Sequence, residues 1–137
     1  FDNVALALGS REEADVLAVL DRVGLRDRSD QTAGTLSYGH QRLLEIAMGV
    51  AQNPRLLILD EPTQGLAESE IAGFKELIGR LRAETTILLI EHNMDVVMSL
   101  ADAITVLETG RVLASGTPEE VRADARVQHA YLGTAPC

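Results

Sequence analysis

RLLILDEPTQGL (residues 55–66) decides the fold, because an aliphatic run ends there on two adjacent carboxylates and a proline. Residues 56–59 are all Leu or Ile, which predicts a short strand buried on both faces of a parallel sheet. The carboxyl ends of such strands line the ligand crevice. Asp60 and Glu61 are therefore predicted to lie where a cation or an attacking water is handled. The alternative is that they begin a solvated loop.

A second strand end carries the same kind of chemistry. Residues 85–90 (TTILLI) predict another buried strand, and Glu91 and His92 follow it directly. Of the adjacent pair Asp60 and Glu61, one carboxylate could hold a hard cation such as Mg²⁺, directly or through water. The other could orient or deprotonate an attacking water molecule. For His92 the competing interpretation is a packing residue or the start of a helix.

Elsewhere the chain alternates helical and extended patterns, which predicts an α/β layer with a mainly parallel sheet. Two capping boxes are predicted, from Ser10 to Glu13 and from Thr117 to Glu120. Glu108-Thr-Gly110 predicts a hairpin turn between two strands. The predicted helices cover residues 10–22, 39–52, 68–82, 94–100 and 117 onward, and the remaining strands cover 103–107 and 111–115.

Bulk composition restricts the functional classes. The 137 residues are enough for one domain with a hydrophobic core, and the net charge of −9 argues against a nucleic-acid surface. One cysteine, Cys137, excludes a disulfide within the chain, which fits a reducing compartment. No apolar run approaches the roughly 20 residues that span a bilayer, and no signal peptide is visible.

Three ordered motifs resemble those of ATP-binding cassette ATPases. LLILDEP (56–62) is similar to their Walker B motif, TLSYGHQRLLEIA (35–47) to their signature motif with its helix, and LLIEHNMDVV (88–97) to their switch-histidine region. Finer features resemble the group that serves branched-chain amino acid importers: Tyr38, RLLEIA (42–47), IEHNMDVVMSLAD (90–102), GTPEEV (116–121) and AYLG (130–133).

The resemblance implies the fold and the catalytic roles. It implies the C-terminal part of a P-loop NTPase (RecA-like) core with part of a helical subdomain. Residues 1–38 would be helical subdomain or a simple helical lid, 39–116 the core, and 117–137 a C-terminal helix and tail. Asp60 would hold Mg²⁺ through a water. Glu61 would polarise the attacking water, and His92 would contact the γ-phosphate of ATP.

The resemblance also assigns the signature residues to the nucleotide of an opposite subunit. Ser37, Gly39 and His40 would meet its γ-phosphate, and a helix N-terminus that begins at a glycine suits an anion physically. Taken alone, Ser37-Tyr38-Gly39 reads as a capped helix start. His40 stands where the signature usually has Gln, with a modest and pH-dependent effect expected. Ala67 stands where Asp or Asn is usual, which puts coupling between the two sites in doubt.

The phosphate-cradling motif Gly-x-x-x-x-Gly-Lys-Ser/Thr is missing from the sequence. Its single lysine, Lys75, lies between Phe74 and Glu76. We therefore expect the chain to be a C-terminal segment of an ATPase, without detectable hydrolysis or tight nucleotide binding on its own. Without the strand that bears that loop, residues 85–90 would expose an apolar edge. Such an edge is a template for pairing, so self-association is expected.

The implied partners are a second ATPase subunit, identical or different, and transmembrane permease subunits. The implied location is the cytoplasmic face of the cell membrane, without nucleic acid. A non-transport ATPase of the same superfamily, acting in DNA repair or translation, is the alternative, and the acidic balance counts against it. A non-catalytic interaction module is a third reading, which a titration with Mg-ATP would distinguish from an enzyme.

Overall fold

The computed structural model of the protein describes residues 1–132. Cys137, the glycine of the AYLG ending and the end of the predicted tail lie outside the described residues. Contacts divide the chain into two compact units, Phe1–Asn93 and the residues from Met94 onward. The subdomain boundaries expected after residues 38 and 116 stay a prediction.

The first unit contains four helices and one pair of strands. Its three N-terminal helices bury aliphatic side chains such as Val4, Val16 and Leu44, and α4 buries one face that includes Phe74. Short 3₁₀ turns occupy the polar stretch before α3. The elements are α1 (Asp2–Leu8), α2 (Glu13–Arg22), α3 (Tyr38–Val50), β1 (Leu56–Asp60), α4 (Glu68–Leu81) and β2 (Thr86–Ile90).

Strands β1 and β2 form a parallel pair in which Leu56 faces Thr86 and Asp60 faces Ile90. This register brings the carboxyl ends of the two strands to the same level. The residues that follow them, Glu61 and Glu91, therefore leave the sheet side by side. This places the two predicted strand ends together at one edge.

The prediction that both strands are buried on both faces is wrong for the described residues. Leu57 is buried, but the aliphatic side chains on the other face are about half exposed. The alternation arises because a strand directs successive side chains to opposite faces, and only one face of this pair is covered. The exposed side chains, called here the aliphatic face, are Leu56, Ile58, Leu88 and Ile90.

The predicted capping box at Ser10 is also wrong. Helix α2 begins at Glu13 with Glu12 as its N-cap. The Ser10 hydroxyl instead accepts from the N–H of Glu12, two residues on, at 3.2 Å. This local turn competes with helix capping, as serine side chains commonly do. The sequence pattern also gave no indication of α1.

The second unit contains a hairpin packed on short helices. Its elements are α5 (Met94–Leu100), β3 (Ile104–Glu108), β4 (Arg111–Gly116), α6 (Pro118–Ala123), a turn at Ala125–Val127 and a π-helical turn at Gln128–Leu132. The two strands are antiparallel, with a bulge between Val106 and Leu107. The predicted helix 94–100 and the predicted hairpin are confirmed. The hairpin core includes Ile104, Val121 and Val127.

The predicted capping box at the start of α6 is confirmed. The Thr117 hydroxyl accepts from the N–H of Glu120 at 3.3 Å, and the Glu120 carboxylate accepts from the N–H of Thr117 at 2.8 Å. Pro118 occupies the first helical position, where its missing N–H costs nothing. Both side-chain bonds thus satisfy donors that the helix itself cannot.

Removing this cap is expected to destabilise the second unit. Thr117→Ala should lower its free energy of unfolding by about 1 kcal/mol, because one first-turn N–H loses its acceptor. Urea unfolding followed by circular dichroism measures the change. Glu119→Gln is the control, since Glu119 is exposed in the same turn and takes no part in the cap. Equal losses in the two variants would contradict the assignment.

Across residues 1–132, no helix combines the length and the apolar character that a membrane span requires. The observed order of helices and strands, which includes a parallel strand pair, confirms the predicted α/β class.

Candidate functional site

Glu61 lies at a sharp backbone turn immediately after β1. Its φ angle is +43°, in the left-handed region that non-glycine residues seldom adopt. Its N–H donates to the carbonyl oxygen of Ile90 at 2.8 Å, and its own carbonyl accepts from the N–H of Gln64 at 3.1 Å. Such a conformation persists only where surrounding bonds hold it, and it is concentrated at functional sites.

This turn brings Glu61 to His92, which follows β2. The Oε1 atom of Glu61 lies 3.4 Å from the Nδ1 atom of His92, and both side chains are substantially solvent-exposed. The contact is an ion pair whenever the imidazole is protonated. A carboxylate and an imidazole thus meet above the carboxyl ends of two parallel strands, which is the predicted location of the crevice. The roles of these two residues stay a prediction.

Glu91 lies between the strand and His92, and its carboxylate is held by four donors. One oxygen accepts from the N–H of Thr63 at 2.8 Å and from the Thr63 hydroxyl, and the other accepts from the N–H groups of His92 and Asn93 at 3.1 and 3.3 Å. Burial by itself would raise the pKa of Glu91, but these hydrogen bonds outweigh it, so the pKa lies below the ordinary value.

The sequence placed Glu91 at the strand end but gave it no role, and it gave Thr63 none. Among residues 1–130, the range over which the structure describes burial, Thr63 is the one buried polar residue, at 5% exposure. The sequence could have indicated this contact only through the two predicted parallel strands, because their pairing sets the two loops that follow them beside each other.

Asp60 ends β1 with an exposed side chain. It borders a cleft of about 260 Å³ between α3 and β1, together with Arg42 and Glu45. In the described part of the chain, no three Asp, Glu, His or Cys side chains converge as a metal cage. Mg²⁺ keeps several of its waters and takes only one or two protein carboxylates. Asp60 therefore fits a magnesium site as a single ligand, directly or through water.

The predicted signature residues gather at the start of α3. Ser37 is the N-cap, and its hydroxyl accepts from the N–H of His40 at 3.3 Å. The same oxygen lies 2.8 Å from Nδ1 of His40, and the tautomer of the imidazole decides which of these two atoms donates the hydrogen bond. No hydrogen bond joins this cluster to Glu61 or His92 in residues 1–132, so the predicted site residues form two groups.

Gly39 lies against the Glu70 carboxylate at this helix start, so a larger residue there would have to displace that side chain. A Cβ atom there would lie 2.3 Å from Oε1 of Glu70, whose carboxylate also accepts from the N–H of Ala67 at 2.9 Å. The neighbouring Tyr38 ring packs on Gly65, where a Cβ atom would approach it to 3.1 Å. These two contacts link the start of α3 to the segment that follows Glu61. The sequence did not predict them.

The fold is shared with solved ATP-binding cassettes. The match to the ADP conformation of MJ1267, an ATP-binding cassette of an ABC transporter, has a TM-score of 0.79 and 30% identity, over 90% of this chain and 52% of that one. The match to cbiO1 from Clostridium perfringens, part of the ABC transporter complex cbiONQ, has a TM-score of 0.78 and 29% identity, over 92% and 53%. The model of the ABC transporter family matches residues 1–64.

The chain belongs to the ATP-binding cassette family of P-loop NTPases. Within it, residues 111–136 match the family model of the branched-chain amino acid ATP-binding cassette transporter. The high-affinity branched-chain amino acid transport ATP-binding protein BraF of Pseudomonas aeruginosa is 46% identical over 98% of this chain and 54% of its own length. LivG of Escherichia coli, which carries the same description, is 48% identical over 85% and 46%. The chain thus spans about half the length of these relatives.

Proposed function

We propose that this chain belongs to the ATP-hydrolysing subunit of an importer for branched-chain amino acids. The observation that carries the proposal is the 3.4 Å approach of Glu61 to His92 at the ends of the two parallel strands. The substrate class rests on the names of BraF and LivG, which are branched-chain amino acid transport ATP-binding proteins.

In this proposal, residues at the ends of the two strands have separate roles in hydrolysis. Asp60, exposed and bordering the cleft, would hold Mg²⁺, whose charge would offset that of the phosphates. Glu61 accepts a hydrogen bond from the attacking water and orients it toward the phosphorus. His92 donates from its ring to the γ-phosphate. Successive residues at the end of a strand direct their side chains differently, so the two carboxylates can take different roles.

The signature group serves a second subunit, identical or different. Ser37 and the first-turn N–H groups of α3 offer donors and the positive end of the helix dipole to a γ-phosphate. His40 takes part by holding the Ser37 hydroxyl. With transmembrane permease subunits, the pair of ATPase subunits would lie on the cytoplasmic face of the cell membrane. The substitution at Ala67 is proposed to weaken coupling between the two sites.

The 137-residue chain alone is expected not to hydrolyse ATP. A phosphate-cradling loop is not among its residues, and Lys75, its single lysine, lies within α4. The β- and γ-phosphates therefore have no backbone cradle in this chain. Phosphate release from Mg-ATP should not exceed that of the Glu61→Gln variant. Calorimetric titration should show no tight binding, and hydrolysis above that control would contradict the expectation.

An active enzyme tests the function itself. The part of BraF that this chain does not cover would be joined to residues 1–137, giving what we call the joined protein. Hydrolysis of Mg-ATP by the joined protein, and none by the chain alone, is the expected result. A joined protein that folds and binds Mg-ATP but does not hydrolyse it would overturn the proposal.

We also propose that the chain by itself associates with a second copy. The aliphatic face exposes four large side chains on one side of the parallel pair. Within residues 1–132, β1 and β2 pair only with each other, so each keeps an open edge. A contiguous apolar face beside unpaired strand edges favours association.

A further inference from the structure

We propose, on the basis of the function above, that Glu91 is a positioning residue for hydrolysis. Its carboxylate ties the loop that carries Glu61 to the loop that carries His92. It thereby holds the water-orienting carboxylate and the phosphate-contacting imidazole in one arrangement.

Each of the two carboxylate oxygens of Glu91 accepts two hydrogen bonds from a different loop. The Oε1 atom faces the loop after β1, where both the N–H and the hydroxyl of Thr63 donate to it. The Oε2 atom faces the loop after β2, where the N–H groups of His92 and Asn93 donate. One side chain thus joins two loops whose attachment points are 28 residues apart in sequence.

Only an ionised carboxylate satisfies all four donors. Each of its oxygens accepts two hydrogen bonds, and bonds to a charged acceptor are stronger than neutral ones. A glutamine has a single carbonyl oxygen, so its NH₂ group would face either the Thr63 donors or the two N–H groups of the other loop. Thr63 is buried, so a donor lost there is not replaced by bulk water.

Displacement at Thr63 is transmitted to Glu61 through a tight turn. The N–H of Gln64 donates to the carbonyl of Glu61 at 3.1 Å, and the N–H of Leu66 donates to the carbonyl of Thr63 at 3.1 Å. His92 needs no intermediary, because its own N–H is bound by Glu91. A shift of about 1 Å in a catalytic group costs roughly 100-fold in rate, so loosening this tie should be visible in turnover.

Turnover of the joined protein is the first test. Glu91→Gln should lower kcat roughly 10- to 100-fold with little change in KM for ATP, because the Ser37 group and the Asp60 side chain are untouched. Thr63→Ser, which keeps both donors, should retain kcat, whereas Thr63→Val should lose part of it. The double variant Thr63→Val with Glu91→Gln should lose less kcat than the product of the two single losses, because both substitutions break the same tie.

Two controls separate positioning from general destabilisation. Glu76→Gln makes the same charge change on the exposed side of α4, and Ile78→Val weakens the buried side of the same helix. Neither should change kcat. If Glu61→Gln abolishes hydrolysis while Glu91→Gln leaves kcat unchanged, the proposed function stands and the positioning role is wrong.

Amide hydrogen exchange in the 137-residue chain is the second test, and it does not depend on hydrolysis. Glu91→Gln should accelerate exchange of the Thr63 amide or of the His92 amide at least about tenfold, because its single carbonyl oxygen can accept from only one of the two loops. Amides in α4 should keep their rates. Unchanged protection at both positions would overturn the tie even if the joined protein proved inactive.

Discussion

Glu61→Gln is expected to lower ATP hydrolysis by the joined protein roughly 10²- to 10⁴-fold, the usual contribution of a positioned general base. The carboxylate accepts strongly from the attacking water, and the neutral amide does not. The backbone turn at φ +43° depends on the hydrogen bond that the Glu61 N–H donates to Ile90 and on the one that its carbonyl accepts from Gln64, rather than on the side chain. The fold should therefore survive the change. Initial rates of phosphate release under saturating Mg-ATP measure the effect.

A second carboxylate provides the matched control. Glu68 is exposed in the first turn of α4, seven positions after Glu61, and Glu68→Gln makes the same change of charge. It should leave the rate within about twofold, as expected of an exposed substitution away from the site. A Glu61→Gln variant that kept more than about a tenth of the wild-type rate would contradict the role proposed for Glu61.

Much of the fold could be predicted because local patterns and tertiary packing agree. The stripe of α4 repeats at helical spacing, and the capping box at Thr117 has both partners three residues apart, so their boundaries are nearly as expected. Ser10 has the same local pattern, yet it bonds to Glu12 and the helix begins later. At Ser10 a local turn competes with helix capping, and the spacing of the residues does not tell which of the two is more stable.

The exposure of the strands could not be predicted from the run LLIL. Four consecutive aliphatic residues are compatible with burial on both faces, but actual burial depends on what covers each face. Leu57 is buried on one side and Ile58 is half exposed on the other. The segments that cover each face of a strand lie elsewhere in the sequence, so the strand's own residues do not show whether a face is buried.

The site shows the same division between local and long-range information. The proximity of Glu61 and His92 followed from two strands with a common carboxyl end. The Glu91–Thr63 contact depends additionally on loop shape, because it needs a left-handed residue to turn the chain toward the second strand. Sequence reasoning therefore found the groups proposed to act on substrate and missed the group proposed to hold them.

The 137-residue chain is expected to self-associate through the aliphatic face, and the double variant Ile58→Lys with Leu88→Lys should weaken this association at least about 100-fold. Each half-exposed side chain contributes on the order of 1–1.5 kcal/mol when buried at an interface, so the two of one copy already give a factor near that size, and the same change in the second copy adds to it. Both positions are about half exposed in the single chain, so lysine can lay its stem on the surface and keep its charge in water.

Sedimentation velocity over a range of protein concentrations measures the association. The matched control is Leu6→Lys with Val112→Lys, which replaces two exposed aliphatic residues that do not belong to the parallel pair and adds the same charge. It should associate as the unmodified chain does. A chain that stays monomeric at every concentration would contradict self-association. A double variant that associates as strongly as the control would exclude the aliphatic face as the interface, because a lysine pair cannot be buried there without a large desolvation cost.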